Sequence, residues 1–223
     1  HWRFENYAEA LTKSSLIRYF FNSVFYSAVT VLVAGLLSAM AAYAIARMYW
    51  KKRNTVFTIF SVGIMIPAQA ALLPLFQLLD KIGLKCGYLG LLIPYIAGAI
   101  PMILTGFYKG IPKGIEEAAC IDGCGLWRCF FSIITPIVKP ALATASIFTF
   151  LGTWNELMLA NTFVDKDVYR TLPVGIMSFA GQYSTDWGLI GAGMVIATLP
   201  TILIYFLLSN QVQESLVAGA VKG

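Results

Sequence analysis

The side chains of this chain that could make or break bonds are few and poorly grouped for it. Its only histidine is His1, and its four cysteines are Cys86, Cys120, Cys124 and Cys129. Spacings of four and five residues gather the last three into one segment, yet no fourth cysteine or histidine lies near enough to complete a tetrahedral zinc site. No metal is therefore expected. The sequence contains no Gly-x-Ser-x-Gly elbow and no His-Glu-x-x-His pair, so a nucleophile with its base cannot be assembled. It also lacks a Gly-x-x-x-x-Gly-Lys-[Ser/Thr] loop, the backbone cradle that would hold a nucleotide's phosphates. The chain reads as a non-enzyme with no cofactor of its own.

What remains is chemistry of recognition. Gln69, Gln77 and Asn161 carry amides that can hydrogen-bond hydroxyl groups without burying charge, and the rings of Tyr43 and Phe76 could stack on a sugar. Bonding between helices is the plainer role for such amides. Glu156 is the one acidic residue inside a long apolar run, where a charge costs several kcal/mol, so with Trp154 and Asn155 it is a candidate for a pathway or gate. It follows Lys139 by 17 residues. At about 1.5 Å per residue this places it near the far interface, where Trp154 would suit an aromatic anchor and Glu156 a structural anchor or an external gate.

The elements holding these residues follow from composition. Of 223 residues, 58% are hydrophobic and 12% charged, and mean hydropathy is +0.74. So few charges cannot cover a water-soluble exterior of this size. The net charge of +5 is spread over short loops rather than gathered on one face, which argues against nucleic acid. Apolar runs predict spans at about 19–46, 54–79, 86–108, 137–162 and 187–213. These are long continuous runs with Ala and Gly, so they are helices rather than alternating barrel strands. Pro67, Pro74, Pro94, Pro101 and Pro200 should kink them.

Residues 1–18 form a polar external segment and 214–223 a tail. One side of the membrane receives nine Lys and Arg, among them Arg47, Lys51, Lys52 and Arg53, and the other receives seven. The dense cluster abuts two span ends, which puts that side in the cytosol. The N-terminus is then outside and the C-terminus inside, and an additional helix upstream of His1 is expected, making six.

Between the third and fourth spans lies a cytosolic loop, 109–139. Pro112 suits a first helical turn, Glu116 and Glu117 complement the helix dipole, and Gly123 with Gly125 provides the stop, giving a short helix. Ala118, Ala119 and Ile121 give it an apolar surface, and a second amphipathic piece, 126–134, precedes Pro136. Such a helix could dock in a cleft of another protein or lie on the lipid surface. Asp122 could cap the turn or pair with a basic residue of a partner. The three cysteines here read as small, half-buried residues in a reducing compartment.

Glu117-Ala118-Ala119, three residues, Gly123, nine residues, Ile133 and then Thr135-Pro136 resembles the EAA signature of ABC-importer permeases, with Thr135 in place of the usual Leu. Glu5-Asn6-Tyr7, Asn22-Ser23, Ala41 to Arg47, Trp154-Asn155-Glu156, Thr171 to Gly175 and Gly219 to Gly223 are similar to the carbohydrate-importer branch, of the maltose-permease G-subunit type. The likeness runs over essentially the whole chain. It implies an all-α, polytopic type I ABC-importer permease fold and a coupling helix formed by Glu116, Glu117, Ala118, Ala119, Asp122 and Gly123, with Pro136 beyond it. The implied partners are a second, non-identical permease subunit, two cytosolic ATPase subunits that bind the ATP, and an extracytoplasmic solute-binding protein, and the implied location of this chain is the cell membrane. The implied cargo is a sugar or oligosaccharide, with glycerol phosphate or a polyamine as the alternative. A secondary transporter would call for inverted repeats and several ionisable groups at mid-membrane, and neither is seen.

Overall fold

The run 19–46, which has no proline, becomes one long helix, and 187–213 stays helical through Pro200, whereas 54–79 and 137–162 are each divided near a proline. The computed structural model describes residues 3–12, 14–85, 87–98, 102–181 and 185–220. His1, Lys13, Cys86, Pro101 and Lys222 lie outside the described residues. After a short α1 (Glu5–Thr12), α2 (Leu16–Arg47) runs for 32 residues, roughly 48 Å at 1.5 Å per residue. At the other end of the chain, α12 (Trp187–Ala220) includes a 23-residue apolar stretch, Trp187–Ser209. Among the described residues, these two are long and apolar enough to cross a bilayer in one piece.

The run 54–79 is shared by α3 (Arg53–Met65) and α4 (Ala68–Lys81). The residue before a proline is driven out of the helical region, and Ile66, ahead of Pro67, is extended at φ −81°, ψ 116°. Pro74 stays inside α4 and Pro94 inside α5 (Tyr88–Gly98), which is followed by α6 (Met102–Lys109) and α7 (Gly114–Ile121).

The run 137–162 is not one straight helix either. α8 (Leu126–Ile137) meets α9 (Lys139–Trp154) at 80°, because Pro140 cannot continue the hydrogen-bond ladder of the helix before it. Within α8, Cys129–Ile134 is wound as a π-helix just ahead of Pro136, whose missing N–H leaves the ladder one donor short. After α9 the backbone leaves the helix at Asn155–Leu157 and resumes as α10 (Met158–Phe163). A 3-10 turn, Asp167–Tyr169, and α11 (Leu172–Met177) lead towards α12. Among the described residues the only extended pairing is an isolated bridge between Ala180 and Thr185.

The chain divides into two compact units. The first holds residues 1–31, 68–98 and 149–207, and the second holds 32–67, 99–148 and 208–223. In the first unit, α10 packs on α4 and α5 around Tyr26, Leu91, Tyr95 and Phe163, while Tyr19, Trp154, Leu172 and Ile176 form a separate cluster. A Cβ on Gly175 would come within 2.1 Å of the Tyr19 ring, so α11 approaches α2 as closely as it does only because that position has no side chain. In the second unit a single cluster, built on Tyr43, Tyr108, Phe130 and Ile134, joins the later turns of α2 to α6 and α8, and Ala119 of α7 belongs to it.

Candidate functional site

α7 is a short helix with a defined end. Its first turn begins with the Glu116 amide donating to the Lys113 carbonyl, and it stops at Asp122, whose own amide bonds Ala118. Gly123 then takes a left-handed φ of +72°. The Cys124 amide reaches back to the Ala119 carbonyl at 2.9 Å and the Gly123 amide to the Cys120 carbonyl at 3.0 Å, the paired bonds of a Schellman stop. Any other residue at 123 would be strained, because its Cβ would press on the following carbonyl. The glycine of the EAA-like pattern thus has a physical reason to be there. Asp122 acts as the cap through its backbone.

One face of α7 is spent inside the chain. Ala119 is buried in the second unit's cluster, and Ile115 packs against it. Glu116 does not simply face the helix dipole. It is held by Arg47 at the end of α2, whose Nε donates to Glu116 Oε2 at 2.8 Å while Nη2 closes on the same oxygen. Arg47 Nη1 donates to the Ile111 carbonyl at 2.7 Å and reaches the Tyr108 carbonyl at 3.5 Å, near the end of α6. One guanidinium therefore ties the ends of α2 and α6 to α7. The side chains of Arg47 and Glu116 are only 5% and 19% exposed, so the pair is shielded, and loss of either partner alone would leave the other charge shielded and unpaired. In sequence Arg47 reads only as a topological charge and as part of the Ala41 to Arg47 resemblance. The residue in the loop that could accept it, Glu116, stands 69 positions away.

The opposite face is open. Glu117, Ala118, Cys120 and Asp122 are exposed, and Ile121 is 86% exposed. Leu126 and Trp127 of α8 are exposed beside it in sequence, with Trp127 stacked on Phe131. Pro136 is also exposed. The three loop cysteines differ from one another: Cys120 is exposed, Cys124 intermediate and Cys129 buried, and all three are free thiols. Burial pushes the Cys129 thiol above its usual range.

The other candidate residues are arranged very differently. Trp154 does not sit as an interfacial anchor. It is 2% exposed, stacked on Phe150 at 5.5 Å and edge-on to Phe20 at 5.6 Å, with its indole N–H donating to the Ala197 carbonyl at 2.9 Å. Glu156 caps α10, where its carboxylate accepts the Leu159 amide at 2.7 Å, the Ala160 amide at 3.0 Å and the Tyr95 hydroxyl at 2.9 Å. Asn155 is exposed and bonds the Leu151 carbonyl.

Gln69 and Gln77 are exposed on α4, and Asn161 is exposed on α10. Tyr43 is buried against Tyr108 and Phe130, so its ring is not free to stack on a sugar. Phe76 lies against Phe163 with the Lys85 ammonium 4.3 Å from its centroid. Elsewhere in the first unit, Asn22 donates to the Val168 and Arg170 carbonyls and Ser23 accepts the Leu172 amide. These bonds give the Asn22-Ser23 and Thr171 to Gly175 strings a shared role in pinning the 167–172 loop to α2.

The described elements are broken apolar helices, with the short α7 between α6 and α8 in chain order, and the class of protein they belong to is a permease subunit of a membrane importer. The chain belongs to the family of binding-protein-dependent transport system inner membrane components, which matches residues 31–216. It is 36% identical over 230 residues to the diacetylchitobiose uptake system permease protein NgcG of Streptomyces coelicolor, covering all of this chain and 75% of that protein. It is 34% identical over 226 residues to the trehalose/maltose transport system permease protein MalG of Thermococcus litoralis, covering 98% and 81%. The fold matches a bacterial ABC transporter that imports the acidic polysaccharide alginate, with a TM-score of 0.84 at 21% identity over 93% of this chain and 79% of that one. The all-α type I importer permease fold is therefore the one adopted, and the chain is an integral inner-membrane transport subunit.

Proposed function

We propose that this chain forms half of the pathway of an ATP-driven sugar importer and that α7 couples it to a separate ATPase. The observation that carries the reading is the division of α7 into a face locked to the membrane helices through Arg47, Glu116 and Ala119, and a face left exposed at Glu117, Ala118, Cys120 and Ile121. A lever needs both a grip and a free surface. Movement imposed on the free face reaches the ends of α2 and α6 through a shielded ion pair and a packed core, neither of which deforms gradually.

ATP hydrolysis is assigned to two partner subunits, since the chain carries no phosphate-binding loop of its own. A second permease subunit completes the pathway, and an extracytoplasmic binding protein delivers the cargo. The Lys- and Arg-rich ends of α2, α3 and α6 face the cytosol, with the N-terminus of the chain outside and the C-terminus inside. Sugar as cargo is supported by the relatives named for diacetylchitobiose, for trehalose and maltose, and for starch degradation products.

The test is ATP hydrolysis and sugar uptake by the assembled importer in proteoliposomes, with and without sugar-loaded binding protein. Glu117→Lys and Gly123→Asp should abolish stimulated hydrolysis and uptake while the permease pair still assembles. Unchanged uptake, or uptake without any ATPase, would overturn the reading.

A further inference from the structure

The second unit carries an excess of positive charge that the coupling role leaves unused. Its segments 32–67 and 99–148 contain eight Lys and Arg against three Asp and Glu. Of the three acids, Glu116 is taken by Arg47, and Glu117, in the first turn of α7, and Asp122, at its end, are exposed. Three of the cations, from separate parts of the chain, lie against aromatic residues: Arg53 and Lys113 at Tyr49, and Lys109 at Phe57, one helical turn on from Arg53 in α3. The Arg53 guanidinium, at the first residue of α3, sits 5.2 Å from the Tyr49 centroid. The Lys113 ammonium, just ahead of α7, lies 2.6 Å from the Tyr49 hydroxyl and 5.4 Å from its centroid, so it contacts the hydroxyl edge and not the ring face. At the last residue of α6, the Lys109 ammonium is 4.8 Å from the Phe57 centroid. None of these three belongs to an ion pair among the described residues.

Two features bear on the setting and chemistry of this cluster. It stands where α2 ends, α3 begins and α6 ends, at the charged ends of apolar helices. Tyr49, 76% exposed, and Trp50, whose indole N–H donates to the Ala44 carbonyl at 3.0 Å, are the amphipathic aromatics typical of the membrane–water interface. The Lys113 contact also lowers the Tyr49 hydroxyl from its usual range, as expected of an electropositive site. An anion held here would meet cations already gathered by aromatic rings, at the depth of a phospholipid phosphate.

We propose that Tyr49, Arg53, Lys109 and Lys113 form a binding site for the headgroup of an anionic phospholipid. An acidic protein surface would have to reach this cluster at headgroup depth, beside aromatics suited to lipid, whereas a phospholipid is there already. Because Lys113 immediately precedes α7, lipid bound here steadies the start of that helix. The site itself stands whether or not α7 is the coupler.

The experiment is native mass spectrometry of the assembled importer, purified from vesicles of phosphatidylcholine with and without phosphatidylglycerol, with inorganic phosphate as a competitor. The wild type should retain phosphatidylglycerol in preference to phosphatidylcholine, and phosphate alone should not displace it. Each cation removed should weaken retention about fivefold. The triple variant Arg53→Gln/Lys109→Gln/Lys113→Gln should lose the lipid, and Lys166→Gln, in the other unit, should keep it. Because three charge losses at span ends can disturb insertion, the single Lys113→Gln is measured alongside. Equal retention by wild type and Lys113→Gln overturns the proposal, as does displacement by phosphate alone. A triple variant that keeps the lipid and sheds its ATPase subunits overturns it in favour of protein docking.

Discussion

The α7 region and the Trp154 to Glu156 region both stand out in the sequence as polar or aromatic features at the ends of apolar runs, yet they use their side chains in opposite ways. Around Trp154 and Glu156 the assigned polar contacts point inward: the indole to Ala197, the carboxylate to two amides and the Tyr95 hydroxyl. Around α7 only one face is used, by Arg47, Glu116 and Ala119, and the other is left to whatever meets it. A residue whose capacity is filled inside the chain holds the fold. A residue held in place with capacity to spare can transmit or bind.

Substitutions in the two regions should therefore separate loss of coupling from loss of stability. The largest effect is expected at Gly123→Asp, which strains a left-handed position and shifts the α7 end; uptake and stimulated hydrolysis should vanish in proteoliposomes while the permease pair is still recovered. Next comes Arg47→Met, which leaves Glu116 shielded and unpaired and should cost about 3–5 kcal/mol in thermal unfolding of the complex. The double variant Arg47→Met/Glu116→Leu should regain most of that stability without regaining uptake, because packing is restored and the ion-pair grip is not.

In the inward-pointing region the order reverses. Glu156→Ala removes the acceptor for two amides and one hydroxyl and should cost about 1–3 kcal/mol. Glu156→Gln, which keeps an oxygen for the cap, should leave uptake close to wild type; an uptake loss as deep as that of Gly123→Asp would move Glu156 from the fold to the gate. The smallest effect is expected at Tyr95→Phe, about 1 kcal/mol in the same assay with unchanged cargo preference.

Much of this was legible in the residues because it is local. Apolar runs free of charge mark the helices, Gly123 marks the helix end because its backbone conformation favours glycine, and Pro67 announces the break at Ile66. Features that depend on distant partners were not. Arg47 sits in a run of cations that topology alone explains, and nothing nearby shows that its partner is Glu116. Trp154 near the end of an apolar run reads as an interfacial aromatic until Phe20 and Ala197, from α2 and α12, close over it. The break at Asn155–Leu157 has no proline to signal it; the cue is Glu156 itself, an acid placed to accept the first amides of α10.

The central claim, that the free face of α7 meets the ATPase, is tested most directly by the alkylation rate of Cys120. The measurement uses the importer in membranes, with Cys86, Cys124 and Cys129 replaced by alanine, and compares the permease pair alone with the complex carrying its ATPase subunits. Cys120 is exposed, so it should react readily in the permease pair and slow by about tenfold or more once the ATPase docks and covers it. A fast rate that ATPase does not change would contradict the coupling assignment, and a slow rate in both states would mean that α7 lies on lipid instead.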